Sequence, residues 1–291
     1  MYNAYFGFRE SPFNLTPDPA FLYRSQQHEE ALANLIYGVQ SLKGFVVLTG
    51  EVGTGKTTML ECLQDYLAAQ HIEYAYLFNS RLTVEQFFEM IAYDLDLRCS
   101  RTSKTEVLIA LNQVLIQNAN EGRTTALILD EAHNLEWDVL EEVRLLGNLE
   151  SRHGKLLQIV LAGQPEFDRK LDAPSLRQLK QRIALRCMLR PFQEAETSEY
   201  IATRLGKAGM SQQTAFPPEM IAEIHLRSQG IPRLINAICD NLLLTAFAME
   251  SKQATLEMLD EVSEDMRLEW PGQRISVSRR RYSNDLREPT M

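Results

Sequence analysis

Phe45-Val-Val-Leu-Thr-Gly-Glu-Val-Gly-Thr-Gly-Lys-Thr-Thr58 decides the fold. Its first residues form an unbroken apolar run, the pattern of a strand buried on both faces of a parallel sheet. Gly50 to Thr57 then fits G-x-x-x-x-G-K-[ST], and helix formers follow to about Ala69. Glycines let successive backbone N–H groups turn inward around phosphate oxygens. A helix starting at Lys56 points the positive end of its dipole at the same anion. Gly50, Glu51, Val52, Gly53, Thr54, Gly55, Lys56, Thr57 and Thr58 are therefore expected to hold a nucleoside triphosphate. Lys56 would reach the β- and γ-phosphates, and the Thr57 hydroxyl would ligate Mg²⁺. A glycine turn without a ligand is the alternative, and the strand–loop–helix context argues against it.

A second motif completes the chemistry. Thr125-Ala-Leu-Ile-Leu-Asp130-Glu131 is an apolar strand ending in two adjacent carboxylates. Parallel sheets place ligands at the carboxyl ends of their strands. Asp130 is expected to hold Mg²⁺ through water, and Glu131 to orient and deprotonate an attacking water. Taken alone, such a pair also suits the first turn of a helix. His133 completes Asp-Glu-Ala-His and receives no role.

Outward from these motifs, short apolar runs alternate with amphipathic segments. Strands are expected near 45–49, 74–78, 125–129, 156–161 and 183–189, with helices near 28–42, 56–69, 83–95, 104–120 and 136–150. That alternation implies an α/β fold, a parallel sheet sandwiched by helices. Residues 1–27, rich in aromatics and proline, read as an irregular arm held down by apolar anchors. After about residue 192 only helices are expected, near 194–208, 217–228, 231–249 and 255–268. The chain thus divides into a nucleotide-binding domain with its arm (1–192), a helical lid (193–270) and an Arg-bearing tail (271–291), expected to be flexible.

Composition excludes several classes. The chain has 291 residues, 45% of them hydrophobic, enough for substantial cores. A formal net charge of −9 argues against a general nucleic-acid coat. Four scattered cysteines form no C-x-x-C pair, so buried reduced thiols are expected. The N-terminus lacks the layout of a signal peptide, and no apolar run approaches the roughly 20 residues that span a bilayer. A cytoplasmic chain is expected, peripheral at most to the inner face of a membrane.

Beyond the two motifs, the opening Tyr5-Phe-Gly-Phe8 and Pro12-Phe-Asn-Leu-Thr-Pro-Asp-Pro19 are distinctive. So are Arg144–Glu150, Leu156–Glu166 with its Gly163-Gln-Pro-Glu166, Gln181-Arg-Ile183 and Gly230-Ile-Pro-Arg233. Together they resemble the AAA+ ATPases, a P-loop NTPase superfamily, and within it the general secretion pathway protein A and secretion-associated ATPases. The resemblance spans residues 2 to about 248. It implies a sensor role for Gln164 beside the γ-phosphate. Asn79 would hydrogen-bond the catalytic glutamate, unless it is a plain strand-end residue. Arg182 would be an arginine finger acting on the neighbouring subunit, with Arg177 as the alternative and a solvated helix-end arginine as the plain reading for either.

Arg233 would be the lid's sensor arginine. Tyr23 would line the adenine pocket, or serve only as a core anchor. The implied cofactors are ATP and Mg²⁺, and the implied assembly is a homo-oligomer, commonly a hexameric ring. The implied partner belongs to secretion, pilus or exopolysaccharide assembly. Relatives often continue into a transmembrane helix and a wall-binding domain, which the tail here does not resemble. A DNA-binding ATPase of the transposition-accessory type is the alternative reading. The Arg279-Arg-Arg281 cluster favours it, or contact with anionic lipid, if that cluster is more than a solvated tail.

Overall fold

A computed structural model describes residues 2–16, 21, 23–78, 81–100, 103–152, 154–209 and 215–268. Five parallel strands form the central sheet: β1 (Phe45–Gly50), β2 (Glu73–Leu77), β3 (Thr125–Leu129), β6 (Leu157–Gly163) and β7 (Ile183–Leu189), in the order β2-β3-β6-β1-β7. The order follows from the residues. The two strands beside and including the phosphate-loop strand, β1 and β6, are buried along their whole length, as is β3. The polar-alternating β2 and β7 take the edges.

Side-chain alternation along β1 splits the core in two. Val46 and Leu48 face α2 (Gln26–Gln40) and α3 (Lys56–Ala69), packing with Leu35, Val39, Met59, Leu60 and Leu63. Phe45 and Val47 face the opposite layer: α4 (Val84–Asp94), α5 (Lys104–Asn120), α6 (Trp137–Leu146), α7 (Pro165–Leu171) and the short α8 (Arg177–Lys180). The helix expected to run to residue 150 stops at Leu146. Gly147 caps it, and a Cβ there would lie 2.2 Å from the Phe45 ring. The next residues instead form a two-strand hairpin, β4 (Glu150–Ser151) with β5 (Gly154–Lys155), which periodicity over so few residues did not reveal.

After β7, the described residues are helical: α9 (Glu194–Lys207), α10 (Pro218–Ser228), α11 (Pro232–Ala248) and α12 (Leu256–Asp265). Their core holds Ile201, Ile224, Ile235, Leu242 and Leu259. The arm is not wholly irregular, since α1 (Tyr2–Phe6) opens it. Tyr2, Phe8 and Phe13 are buried in this same helical core, and the Tyr2 hydroxyl donates to Asp240 of α11. The arm thus runs from the lid back to the start of α2. The tail and Asn79 lie outside the described residues.

Candidate functional site

The phosphate loop bends as its glycines dictate. Gly53 and Gly55 have φ of +82° and +103°, in the left-handed region where a Cβ is costly. At Gly53 a Cβ would also lie 2.7 Å from Cβ of Arg233, so the start of α11 lies directly against the loop. Arg233 N–H donates to Gly53 O at 3.2 Å, fixing the start of α11 against it. Opposite, His28 of α2 is buried, with Nε2 3.1 Å from Thr54 O and Nδ1 2.7 Å from Ser25 Oγ. A Ser25 hydroxyl donating to Nδ1 leaves Nε2–H to donate to the loop carbonyl. Burial lowers the His28 pKa and favours that neutral form.

Lys56 is only 6% exposed. Its ammonium donates to Gly50 O at 2.8 Å and Glu51 O at 3.1 Å, both neutral acceptors. Burial pulls its pKa down, and Glu131 and Asp130 oppose that pull. Asp130 closes the other side. Thr57 Oγ1 lies 3.5 Å and Tyr76 Oη 3.3 Å from Asp130 Oδ2, while Glu131 N–H donates to Oδ1 at 2.8 Å. Burial raises the Asp130 pKa, and the Glu131 N–H is the largest influence against it.

Glu131 itself has φ +51°, an uncommon conformation for a side-chain-bearing residue that turns the chain sharply out of β3. Its Oε2 is buried and accepts no hydrogen bond, although His133 Nδ1 lies 3.3 Å away.

A cleft of about 310 Å³ is lined by His28, Lys56, Thr57, Glu131 and Arg233 among these groups. Gly53 to Thr58, Val52 and Glu131 line one end, Pro232 and Arg233 of the lid another, and the arm's Asn14, Leu15, Thr16, Phe21 and Tyr23 a third. Tyr23 stacks edge-on to Phe192 and Tyr200, with ring centres 5.5 and 6.0 Å away, and donates to Glu199 at 2.5 Å. Arg204, buried under Phe21 and Tyr200 with its guanidinium 5.1 and 5.4 Å from those rings, donates to Pro12 O. Sequence reasoning expected Val52 to Thr58, Glu131, Tyr23 and Arg233 at one site, and all of them line this cleft. It missed Tyr76, His28, Phe192, Tyr200 and Arg204. Tyr76 lies on the strand beside β3, but an isolated edge-strand tyrosine carries no signal. The others reach the cleft through tertiary packing alone.

Among the expected residues, Gly50, Glu51, Asp130, Gln164, Arg177 and Arg182 do not line the cleft. Gln164, just past β6, caps α7, and its N–H donates to His133 Nδ1 at 3.4 Å. Arg182 precedes β7, whose first residue pairs with Phe45, so it lies at the amino ends of the strands, the far end from the phosphate loop; its Nη1 donates to Arg144 O at 2.7 Å. Arg177 is exposed at the start of α8.

A triphosphate fits the cradle on the structure's own terms. A buried ammonium bonded to two carbonyls has donor capacity toward an anion, glycines leave room at the loop, and a helix N-terminus faces it. Oxygen donors from Thr57 and Asp130 suit Mg²⁺, which takes few protein ligands and completes its shell with phosphate and water. Accordingly, no group of three or more His, Cys, Asp or Glu capable of holding a metal alone occurs among the described residues.

Known proteins place this arrangement. The AAA domain family matches residues 39–171. General secretion pathway protein A of Aeromonas hydrophila is 44% identical over 252 residues, 86% of this chain and 46% of that protein. The chain thus spans about half the length of that relative. In fold, it is similar to Cdc6p from Pyrobaculum aerophilum (TM-score 0.65, 19% identity, 90% of this chain and 70% of that one). It is also similar to the Aeropyrum pernix ORC2 protein in ADPNP–ADP complexes (TM-score 0.63, 15% identity, 84% and 70%). The glycine-bent loop, the acid pair closing β3 and this kinship over most of the chain agree: the chain belongs to the AAA+ P-loop ATPases, in the family of general secretion pathway protein A.

Proposed function

We propose that the chain hydrolyses ATP with Mg²⁺ and passes lid movement to a partner in envelope secretion, pilus or exopolysaccharide assembly. One observation carries the chemical half: Lys56, Thr57 and Glu131, brought from two strand ends, line one cleft, and Asp130 Oδ2 lies 3.5 Å from Thr57 Oγ1 beside it.

Bound Mg²⁺, which Thr57 and Asp130 would hold, would supply charge neutralisation to the phosphates. The remaining work falls to the chain. Backbone N–H groups from Gly53 to Thr57 hold the phosphates, and Lys56 leaves its two carbonyls for phosphate oxygens. Thr57 and Asp130 provide oxygens for the metal. Glu131 takes a proton from the attacking water. Gln164, Asn79 and Arg233 are assigned to sensing the γ-phosphate and lid state, and Arg182 to the neighbouring subunit's site.

The place of Arg233 supports the coupling. Its backbone N–H is tied to Gly53 O, so a change at the loop would move α11. The secretion partner rests on the Aeromonas relative, of which this chain matches about half. No described helix is long and apolar enough to cross a membrane.

Steady-state phosphate release tests the reading. Glu131→Gln should lower turnover about 10²- to 10⁴-fold, the contribution of a general base, while keeping ATP binding. Lys56→Ala should lose both, and EDTA should stop the wild-type reaction. Full turnover in Glu131→Gln would dispose of the proposed base.

A further inference from the structure

His133 Nδ1 is shared between two claimants. It lies 3.3 Å from Glu131 Oε2 and accepts the Gln164 N–H at 3.4 Å. An imidazole nitrogen cannot serve both at once. As an acceptor from Gln164 it has no proton for the carboxylate, and Glu131 Oε2 is buried with no hydrogen bond. A proton on Nδ1 would satisfy Glu131 and release the Gln164 N–H. A buried carboxylate oxygen left without a donor is costly, so this pocket favours whichever exchange satisfies it.

The backbone that carries the ring is held in place for that choice. Lys170 of α7 donates to His133 O at 3.1 Å and also to Leu135 O, and the side chain is 13% exposed. A Cβ on Gly163 would lie 3.4 Å from His133 N, so β6 and the turn after β3 are in contact there.

We propose that His133 is a positioning residue for Glu131: its Nδ1 switches between the Gln164 N–H and Glu131 Oε2, tying the aim of the base to the loop that follows β6. The inference rests on Glu131 being the base. When Gln164 moves toward a bound γ-phosphate, its N–H leaves His133. Nδ1, no longer an acceptor, then takes a proton from solvent while Nε2 gives its own up, the other neutral tautomer; it donates to Oε2, and the carboxylate is fixed with Oε1 toward the water. Glu131 is thus aimed only when the Gln164 loop has responded to nucleotide.

The test compares His133→Ala, His133→Asn and Glu131→Gln in the full chain, by steady-state phosphate release, ATP titration and thermal melting. His133→Ala should lower kcat about 10- to 100-fold, the scale of a misaimed catalytic group, with ATP affinity and Tm unchanged. Asn carries an amide near the position of Nδ1, able to donate to Glu131 and accept from Gln164, so His133→Asn should recover most of the loss. A kcat at or above wild type in His133→Ala would overturn the proposal. So would Tm and affinity falling together with kcat, with Asn no better than Ala. Glu131→Gln separates the two readings: if it is inactive while His133→Ala is fully active, only the positioning role fails. If Glu131→Gln itself turns over normally, the base assignment fails and the positioning role with it.

Discussion

His28 shows how one residue couples the arm, a helix and the phosphate loop. It is 4% exposed, and its neutral ring spans Ser25 and Thr54 O. Burial lowers its folded pKa below the ordinary value near 6.5. Between those two values the unfolded chain binds a proton that the folded chain refuses. Stability from this group is therefore fully present above about pH 6.5 and falls as pH drops toward the depressed value. Thermal melting from pH 5 to 8 should show wild type losing stability on the acid side relative to His28→Gln. Curves that stay parallel throughout would remove the group from the loop's support. Gln can still donate to Thr54 O, so the variant should fold.

Glycines set the next prediction, at the boundary between loop and lid. Gly230 has φ +70°, and a Cβ there would lie 2.1 Å from Phe192 O, whose own N–H donates to Gly230 O at 2.8 Å. Neither backbone can yield easily. Gly230→Ala should cost about 1–3 kcal/mol from left-handed strain, with the close contact adding to it. Chemical denaturation measures it, and a loss under about 0.5 kcal/mol, the range of an unconstrained surface change, would show that the turn relaxes.

The elements were mostly legible where one force dominated. Phe45 to Leu48 and Ala126 to Leu129 are continuous apolar runs, and they are central strands because only a sheet covered on both faces buries every residue. Gly50 to Thr57 was legible because phosphate binding restricts residue type at fixed offsets. What escaped depended on distant contacts. Nothing in Tyr2, Phe8 or Phe13 says that they pack on α9 to α12 rather than on the sheet, since an apolar anchor does not name its partner. Tyr76 reaches Asp130 only because β2 pairs with β3 in the register Leu77 to Leu129. The hairpin after α6 is two residues per strand, too short for any period.

The arm's placement makes a prediction at element scale. Phe13 is fully buried, 6.1 Å from the Phe216 ring, on the lid side of the cleft that Asn14 to Thr16 line. Phe13→Ala should destabilise by about 3–5 kcal/mol, as for other large core truncations. It should also weaken ATP binding, since the arm forms one wall of the cleft. Unchanged nucleotide affinity in a folded Phe13→Ala would mean that the arm closes the lid core without shaping the site.

At the scale of the whole molecule, charge distribution and geometry bear on assembly. Arg182 lies at the amino ends of the strands, away from its own phosphate loop at their carboxyl ends, with its guanidinium on Arg144 O. Its proposed role therefore requires a second copy, and the active species would be an oligomer. The expectation can be put to a mixing experiment. Glu131→Gln keeps the arginine but lacks the base; Arg182→Ala keeps the base but lacks the arginine. Each alone should be nearly inactive, the second by about 10³-fold or more if the arginine acts as fingers do elsewhere.

Mixed together, the two variants form some interfaces with an intact base on one copy and an intact arginine on the other. Phosphate release should then rise above the sum of the separate proteins. Wild-type activity per chain should also climb with protein concentration, because only associated copies complete a site. No gain on mixing, with Arg182→Ala as active as wild type, would return Arg182 to a structural role at the foot of β7. A gain on mixing Glu131→Gln with Arg177→Ala instead would move the finger to α8.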